Sequence, residues 1–213
     1  MKGSYLGPGF SQQEIESRLT TLGAKFTAHT GEELVDACGN ALVDEKALVK
    51  VKYRDSFRPF APSVLREDVA DWFELGSDSP YMLLVADVVE RRRKPMTREQ
   101  EKLFESEKLN VARIDTPAVT RVDYSARIQT LHRETNPRYH ALLTRFKELT
   151  GHPVIVNTSF NVRGEPIVCT PEDAFRCLTG TKIEALAIGN CFLRKEDQPA
   201  GMELRYETAF TPD

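Results

Sequence analysis

The stretch Asn136–Gly180, NPRYHALLTRFKELTGHPVIVNTSFNVRGEPIVCTPEDAFRCLTG, decides the fold class. Asn136 followed by Pro137 is an N-cap with proline at the first helical position, where a missing N–H costs nothing. Tyr139, Leu142, Leu143, Phe146 and Leu149 recur on one helical face, and Gly151 stands at the C′ position that ends a helix. Pro153–Val156 is an apolar run of strand length, followed by the polar segment Asn157–Pro166. Thr170, Pro171 and Asp173 repeat the capping pattern and open a second helix through Ala174, Phe175 and Leu178 to Gly180. Helix, strand, polar turn and helix in succession predict an α/β (α+β) protein, a mixed sheet flanked by helices.

The same signals continue outward. Ser11 and Glu14 form a capping-box pattern before a helix carrying Ile15, Leu19 and Leu22, which stops before Gly23. A second short helix is expected over Glu32–Ala41. Ala47–Tyr53 reads as a strand with Val49, Val51 and Tyr53 on one face and Lys50, Lys52 and Arg54 on the other. Tyr81–Val89 reads as a central strand, Ala118–Val122 and Ala126–Leu131 as two further strands, and Ile183–Phe192 as the last. Glu90–Glu107 is polar, a loop or a solvated helix, and its run Arg91–Lys94 is followed by glutamates. These divisions suggest an adaptor over residues 1–45, a domain over 46–196 and a surface tail over 197–213.

The chain has 213 residues, and 29 Lys+Arg against 32 Asp+Glu give a formal charge of −3, which excludes a global attraction to nucleic acid or anionic lipid. No apolar run approaches the roughly 18 residues of a membrane span, and no signal peptide pattern opens the chain, so a cytoplasmic protein is expected. Cys38, Cys169, Cys177 and Cys191 are scattered, with neither a disulfide framework nor zinc spacing, and no metal site is expected.

Three constellations can carry chemistry. Asn157, Ser159, Asn161 and Arg163 crowd together directly after a strand, with Gly164 permitting close backbone approach. They suit a phosphate or a base, or else they form a polar turn that satisfies its own backbone. Lys50, Lys52, Arg54 and Arg58 repel one another unless anions lie among them, which suits a phosphate-bearing ligand, or else they line a solvated edge with Asp55. Phe57, Pro59, Phe60 and Pro62 frame Arg58 rigidly. Arg121, Asp123, Arg127, Gln129 and Thr130 form the third group, a cleft wall or a hairpin with solvent-facing arginines.

VKYRDSFRPFAPSVL (Val51–Leu65), SPYMLLV (Ser79–Val85), NPRYHALL (Asn136–Leu143) and NTSFNVRGEPIVCTPEDAFRCL (Asn157–Leu178) resemble the C-terminal domain of the NodU/CmcH-type O-carbamoyltransferases, over roughly residues 4–196. The resemblance implies a YrdC-like fold, a twisted mixed sheet, that condenses carbamoyl phosphate with ATP into carbamoyl adenylate, Mg²⁺ travelling with the ATP. A Kae1-like partner domain then moves the carbamoyl group to a hydroxyl, as in natural-product biosynthesis. It further implies that Lys52, Arg54 and Arg58 hold phosphate and carboxyl-like groups, that Ser159 and Asn161 with Arg163 and Asn157 face the nucleotide, and that Arg127 stands where the family has the arginine of its TAR motif.

Three departures accompany the resemblance. A family stretch resembling GRMEFGPRALGNRSI is absent before Lys46–Leu48; Arg121–Ser125 replaces His-Val-Asp-Gly-Thr, putting Tyr124 at the glycine; and the chain opens at Tyr5–Ser11, which looks like an interdomain junction. The expectation is therefore a carbamoyltransferase component working with a separately encoded Kae1-like subunit. Two alternatives are a non-catalytic accessory subunit that binds nucleotide or a partner protein, and a diverged acyl-adenylate or ligase-type enzyme for another small acid.

Overall fold

A computed structural model describes residues 8–44, 59–104, 111, 114–121, 123–162 and 164–201, and the chain divides into two units, residues 1–52 with 159–213 and residues 53–158. Capping nucleates the first unit. Ser11 caps α1 (Gln12–Thr21): Glu14 N donates to Ser11 Oγ at 3.3 Å while Ser11 N donates to Glu14 Oε2 at 2.7 Å. The Ser11 N–H bond, and Ser11 Oγ donating to the same Oε2 at 2.8 Å, hold the Glu14 carboxyl below its ordinary value. Thr170 and Asp173 close the same reciprocal pair on α6 (Pro171–Gly180).

The apolar stripes then choose their partners. Ile15 and Leu19 of α1 bury with Ala174, Phe175 and Leu178 of α6 and with Leu186, Cys191 and Leu193 beneath them. Leu34 and Ala41 of α2 (Gly31–Asp44) close on Phe192. The segment read as an adaptor thus supplies two helices to this core. Its sheet is antiparallel, β1 (Thr27–Ala28) beside β7 (Cys191–Arg194) beside β6 (Ala185–Ile188).

Ile183–Phe192, expected as one strand, is therefore a hairpin with Gly189 and Asn190 between its arms. Gly189 has φ 57°, and a Cβ there would stand 2.6 Å from Gln12 Oε1 and 2.8 Å from Ile15 Cδ1. Only glycine meets both demands.

Among the described residues the second unit holds four strands in the order β3 (Leu84–Asp87), β4 (Ser125–Leu131), β2 (Ala61–Leu65), β5 (Val154–Asn157). β2 and β4 run parallel with Ser63 opposite Gln129, and the flanking pairs are antiparallel. Strand alternation sends Val64, Ala126, Ile128 and Val154 to one face, where they bury against Val69 and Trp72 of α3 (Val69–Trp72), Phe73, Val88, Ile114 and Val119. Each such side chain contributes about 1.5–3 kcal/mol. On the other face Leu65 and Leu131 bury under Leu143 of α5 (Pro137–Thr150), with Tyr139, Phe146 and Ile155 at the margin. Asn136 caps α5 by accepting from Tyr139 N at 3.3 Å, and Gly151 ends it at φ 77°.

Two expectations change here. Tyr81–Val89 is not a central strand: only β3 forms within it, at the sheet edge, with Leu83 79% and Val85 50% exposed. An apolar run has the same appearance at an edge as in a core. Ala118–Val122 is not a strand, since Pro117–Val119 coils into a 3-10 turn that proline's fixed φ favours, while Val122 lies outside the described residues. Arg91–Lys94 lies at the surface as expected, with its cations partnered. Arg91 pairs with Asp71 at 2.5 Å, Arg92 lies 3.7 Å over the Trp72 ring, Arg93 reaches Glu74 and Asp87 at 3.6 Å, and Lys94 pairs with Asp115 at 2.5 Å.

The rest of Glu90–Glu107 that is described contains a 3-10 turn and the short α4 (Arg98–Glu101). The expected strand Ala47–Tyr53 lies outside the described residues. Among the described residues no helix is long and apolar enough to cross a membrane, and the four cysteines are free.

Gly189→Ala tests the hairpin. It should destabilise the protein by about 1–3 kcal/mol, because α1 must retreat and Asn190 N loses its 2.7 Å bond to Gln12 Oε1. A lowered urea midpoint at unchanged slope is the expected result.

Candidate functional site

A strip of polar residues lies on the sheet of the second unit. Arg127, Gln129 and Leu131 of β4 share a face with Ala61, Ser63 and Leu65 of β2 and with Ile155 and Asn157 of β5. α5 covers the end at Leu65 and Leu131, whereas Gln129 and Asn157 are half-buried and Arg127 is exposed. Val85 stands directly opposite Arg127 across the β3–β4 pair.

Gln129 joins the strip together. Its Oε1 accepts from Ser63 Oγ at 2.6 Å and from Asn157 Nδ2 at 2.5 Å, and its Nε2 donates to the Pro80 carbonyl at 3.1 Å. Ser63 is fully buried and also bonds the Tyr139 phenol. Burial pushes that phenol above its ordinary value. Arg127 makes no ion pair or side-chain hydrogen bond among the described residues. An unpaired guanidinium on an exposed face beside neutral hydrogen-bonding groups is equipped to hold an anion.

Two neighbouring clusters serve the fold. Thr130 Oγ1 accepts from Ser79 N at 2.9 Å and sits 3.1 Å from His132 Nε2, and Asp78 lies 4.0 Å from that same nitrogen. Thr130 is buried and the carboxylate meets the wrong ring nitrogen to orient a base, so this is not a nucleophile triad. His140, without a partner nearby in sequence, meets Glu67 at 2.9 Å.

Between Arg121 and Ser125 the chain turns tightly. Tyr124 holds φ 66°, its hydroxyl donates to the Lys94 carbonyl at 3.1 Å, and Arg93 lies 5.2 Å from its ring centre. Asp123 is held below the ordinary carboxylate value by Ser125, whose backbone N–H donates to Asp123 Oδ1 at 2.9 Å. Arg121 is exposed at this turn, and the two-stranded hairpin, one of the two readings left open for this group, does not form across it among the described residues.

The candidates from the sequence divide. Arg127 and Asn157 share one face of one sheet. Ser159 and Asn161 belong to the first unit. Asn161 Nδ2 donates to Val162 O at 3.1 Å and Glu165 O at 2.7 Å, closing its own turn around Gly164 at φ 78°. Asn161 Oδ1 is buried and has no partner among the described residues. Ser159 is exposed. Lys52, Arg54, Arg58 and Arg163 lie outside the described residues. Sequence reasoning undervalued Gln129 and missed Ser63; a polar residue inside each apolar strand, APSVL and SARIQTL, was the available signal. Among the described residues no group of three or more His, Cys, Asp and Glu could hold a metal.

Residues 34–195 match the family model for the carbamoyltransferase C-terminus. The chain belongs to this family. This carbamoyltransferase C-terminal domain is 49% identical, over 93% of its length, to an uncharacterized protein of Synechocystis, of which it covers 38%. It is 36% identical over 72% of its length to nodulation protein NolO of Bradyrhizobium diazoefficiens, covering 24% of that protein. With nodulation protein U of Rhizobium tropici it shares 32% identity over 62% of the chain and 19% of the relative. The chain thus spans less than two fifths of the length of these curated relatives.

The Asp123 turn carries a pH signature. A carboxyl depressed by folding stabilises above its unfolded value, about pH 3.9, and loses that contribution as pH falls through the lower folded value. The stability difference between wild type and Asp123→Asn should be flat above about pH 5 and shrink below about pH 4. Chemical unfolding across pH 3–7 checks it.

Proposed function

We propose that this carbamoyltransferase-family domain binds ATP with its Mg²⁺ together with carbamoyl phosphate and makes carbamoyl adenylate. Carbamoyl phosphate and water give carbamate and phosphate. A carbamate oxygen then attacks the α-phosphorus of ATP, and the bond to pyrophosphate breaks with its electron pair on the leaving group. A partner domain, Kae1-like by resemblance, passes the carbamoyl group to a small-molecule hydroxyl and releases AMP. Its substrates place the work in the cytoplasm.

The observation that carries this reading is Arg127, a cation without a partner among the described residues, on the polar strip of a chain in the carbamoyltransferase family. Negative charge develops on phosphoryl oxygens during adenylate formation, and a fixed guanidinium lowers that barrier without a covalent protein nucleophile. By the resemblance alone, Lys52, Arg54 and Arg58 take phosphate and carboxyl-like groups, and Ser159, Asn161 and Arg163 take the nucleotide. A second reading, the accessory subunit, is favoured by the apolar β3 edge, where Leu83 is 79% exposed and suits a partner surface.

Incubation with ATP, Mg²⁺ and carbamoyl phosphate should release pyrophosphate, and Arg127→Ala should lower kcat/KM by about 10²-fold. No pyrophosphate with or without a Kae1-like partner, alongside tight binding of that partner, would replace this reading with the accessory one.

A further inference from the structure

We infer that Asn157 recognises the amino group of the carbamoyl moiety, because the Pro80–Gln129 contact locks the Asn157 carboxamide with its oxygen toward the ligand. This assignment rests on the carbamoyl phosphate reading above and names what selects that substrate from other acyl phosphates.

The direction of each bond follows from one group that has no choice. A peptide carbonyl can only accept, so the Gln129 atom 3.1 Å from Pro80 O is the nitrogen. Gln129 Oε1 therefore faces the other way, toward Ser63 Oγ at 2.6 Å and Asn157 at 2.5 Å. An amide oxygen also only accepts, so Asn157 must turn its Nδ2 to Gln129, and Ser63 must spend its single hydroxyl proton there. Reversing the Asn157 amide would set two carbonyl oxygens against each other at 2.5 Å. Asn157 Oδ1 is left pointing away from Gln129, without a partner among the described residues and outside the set of fully buried orphan atoms.

The strip accordingly presents an acceptor at Asn157 and a cation at Arg127. The strands bearing them, β5 and β4, are separated by β2, two spacings or about 9.6 Å. Carbamoyl phosphate carries an N–H₂ donor at one end and a dianion at the other, and this polarity matches. Acetyl phosphate has the same shape but puts a methyl group where the donor should be, leaving Oδ1 unpaired in a half-buried site.

Titration calorimetry of the full chain with carbamoyl phosphate and acetyl phosphate tests the assignment. Wild type should bind carbamoyl phosphate about tenfold more tightly. Asn157→Leu should bring the ratio near one with acetyl phosphate affinity unchanged. Gln129→Leu, which unlocks the amide, should lower the ratio while Ser63→Thr, which keeps the hydroxyl, preserves it. The ratio is a readout that a purely structural role would not move, and it survives if any one variant fails to fold. Equal binding of the two compounds to wild type, or an undiminished ratio in Asn157→Leu, overturns the role of Asn157 alone. Binding of neither compound to wild type overturns the carbamoyl phosphate reading and this assignment with it.

Discussion

The parallel register of β2 on β4, with Ser63 opposite Gln129 and Val64 opposite Thr130, sets both faces of the second unit at once. Side chains alternate with a period of two, so a slip of one residue would carry Val64 and Ile128 out of their apolar cluster and drive Ser63 and Gln129 into it. Losing the two aliphatic side chains costs about 3–6 kcal/mol, and burying an unbonded carboxamide adds roughly 1–3 kcal/mol more. The core therefore enforces the register, and the register assembles the polar strip. Folding and the proposed recognition rest on the same pairing.

Within that frame the strip is organised before any ligand arrives. Gln129 uses both ends of its amide, Ser63 is held between β4 and the α5 residue Tyr139, and Asn157 is fixed by Gln129. Groups locked in this way lose little rotamer entropy on binding, which concentrates affinity in the few contacts that discriminate. Beyond the far end of β4 the basic run performs a different task. Arg92 on Trp72 and Arg93 beside Tyr124 pin the segment after β3 to the turn before β4, while Arg127 stands exposed on the open face.

Much of this was legible in the sequence where the signals are local. Asn136–Pro137, Gly151 and the Thr170–Asp173 box mark their helices because capping involves residues three or four apart. Membership of the carbamoyltransferase family was legible in the NTSFNVRGEP segment and the motifs around it. The failures share a cause. Tyr81–Val89 and Ile183–Phe192 are apolar throughout, and hydrophobicity alone distinguishes neither edge from centre nor one strand from two. Gln129 looked like one neutral donor among several, because its partners lie 66 and 28 residues away and only the sheet brings them together.

The orientation of the Gln129 amide is the point on which the account of the site turns, and nuclear magnetic resonance can read it directly. A through-hydrogen-bond coupling between Gln129 Nε2 and the Pro80 carbonyl carbon is the predicted result, with a second from Asn157 Nδ2 to the Gln129 side-chain carbonyl. A coupling from Gln129 Nε2 to the Asn157 carbonyl carbon would contradict it, because Asn157 would then face the ligand with its nitrogen.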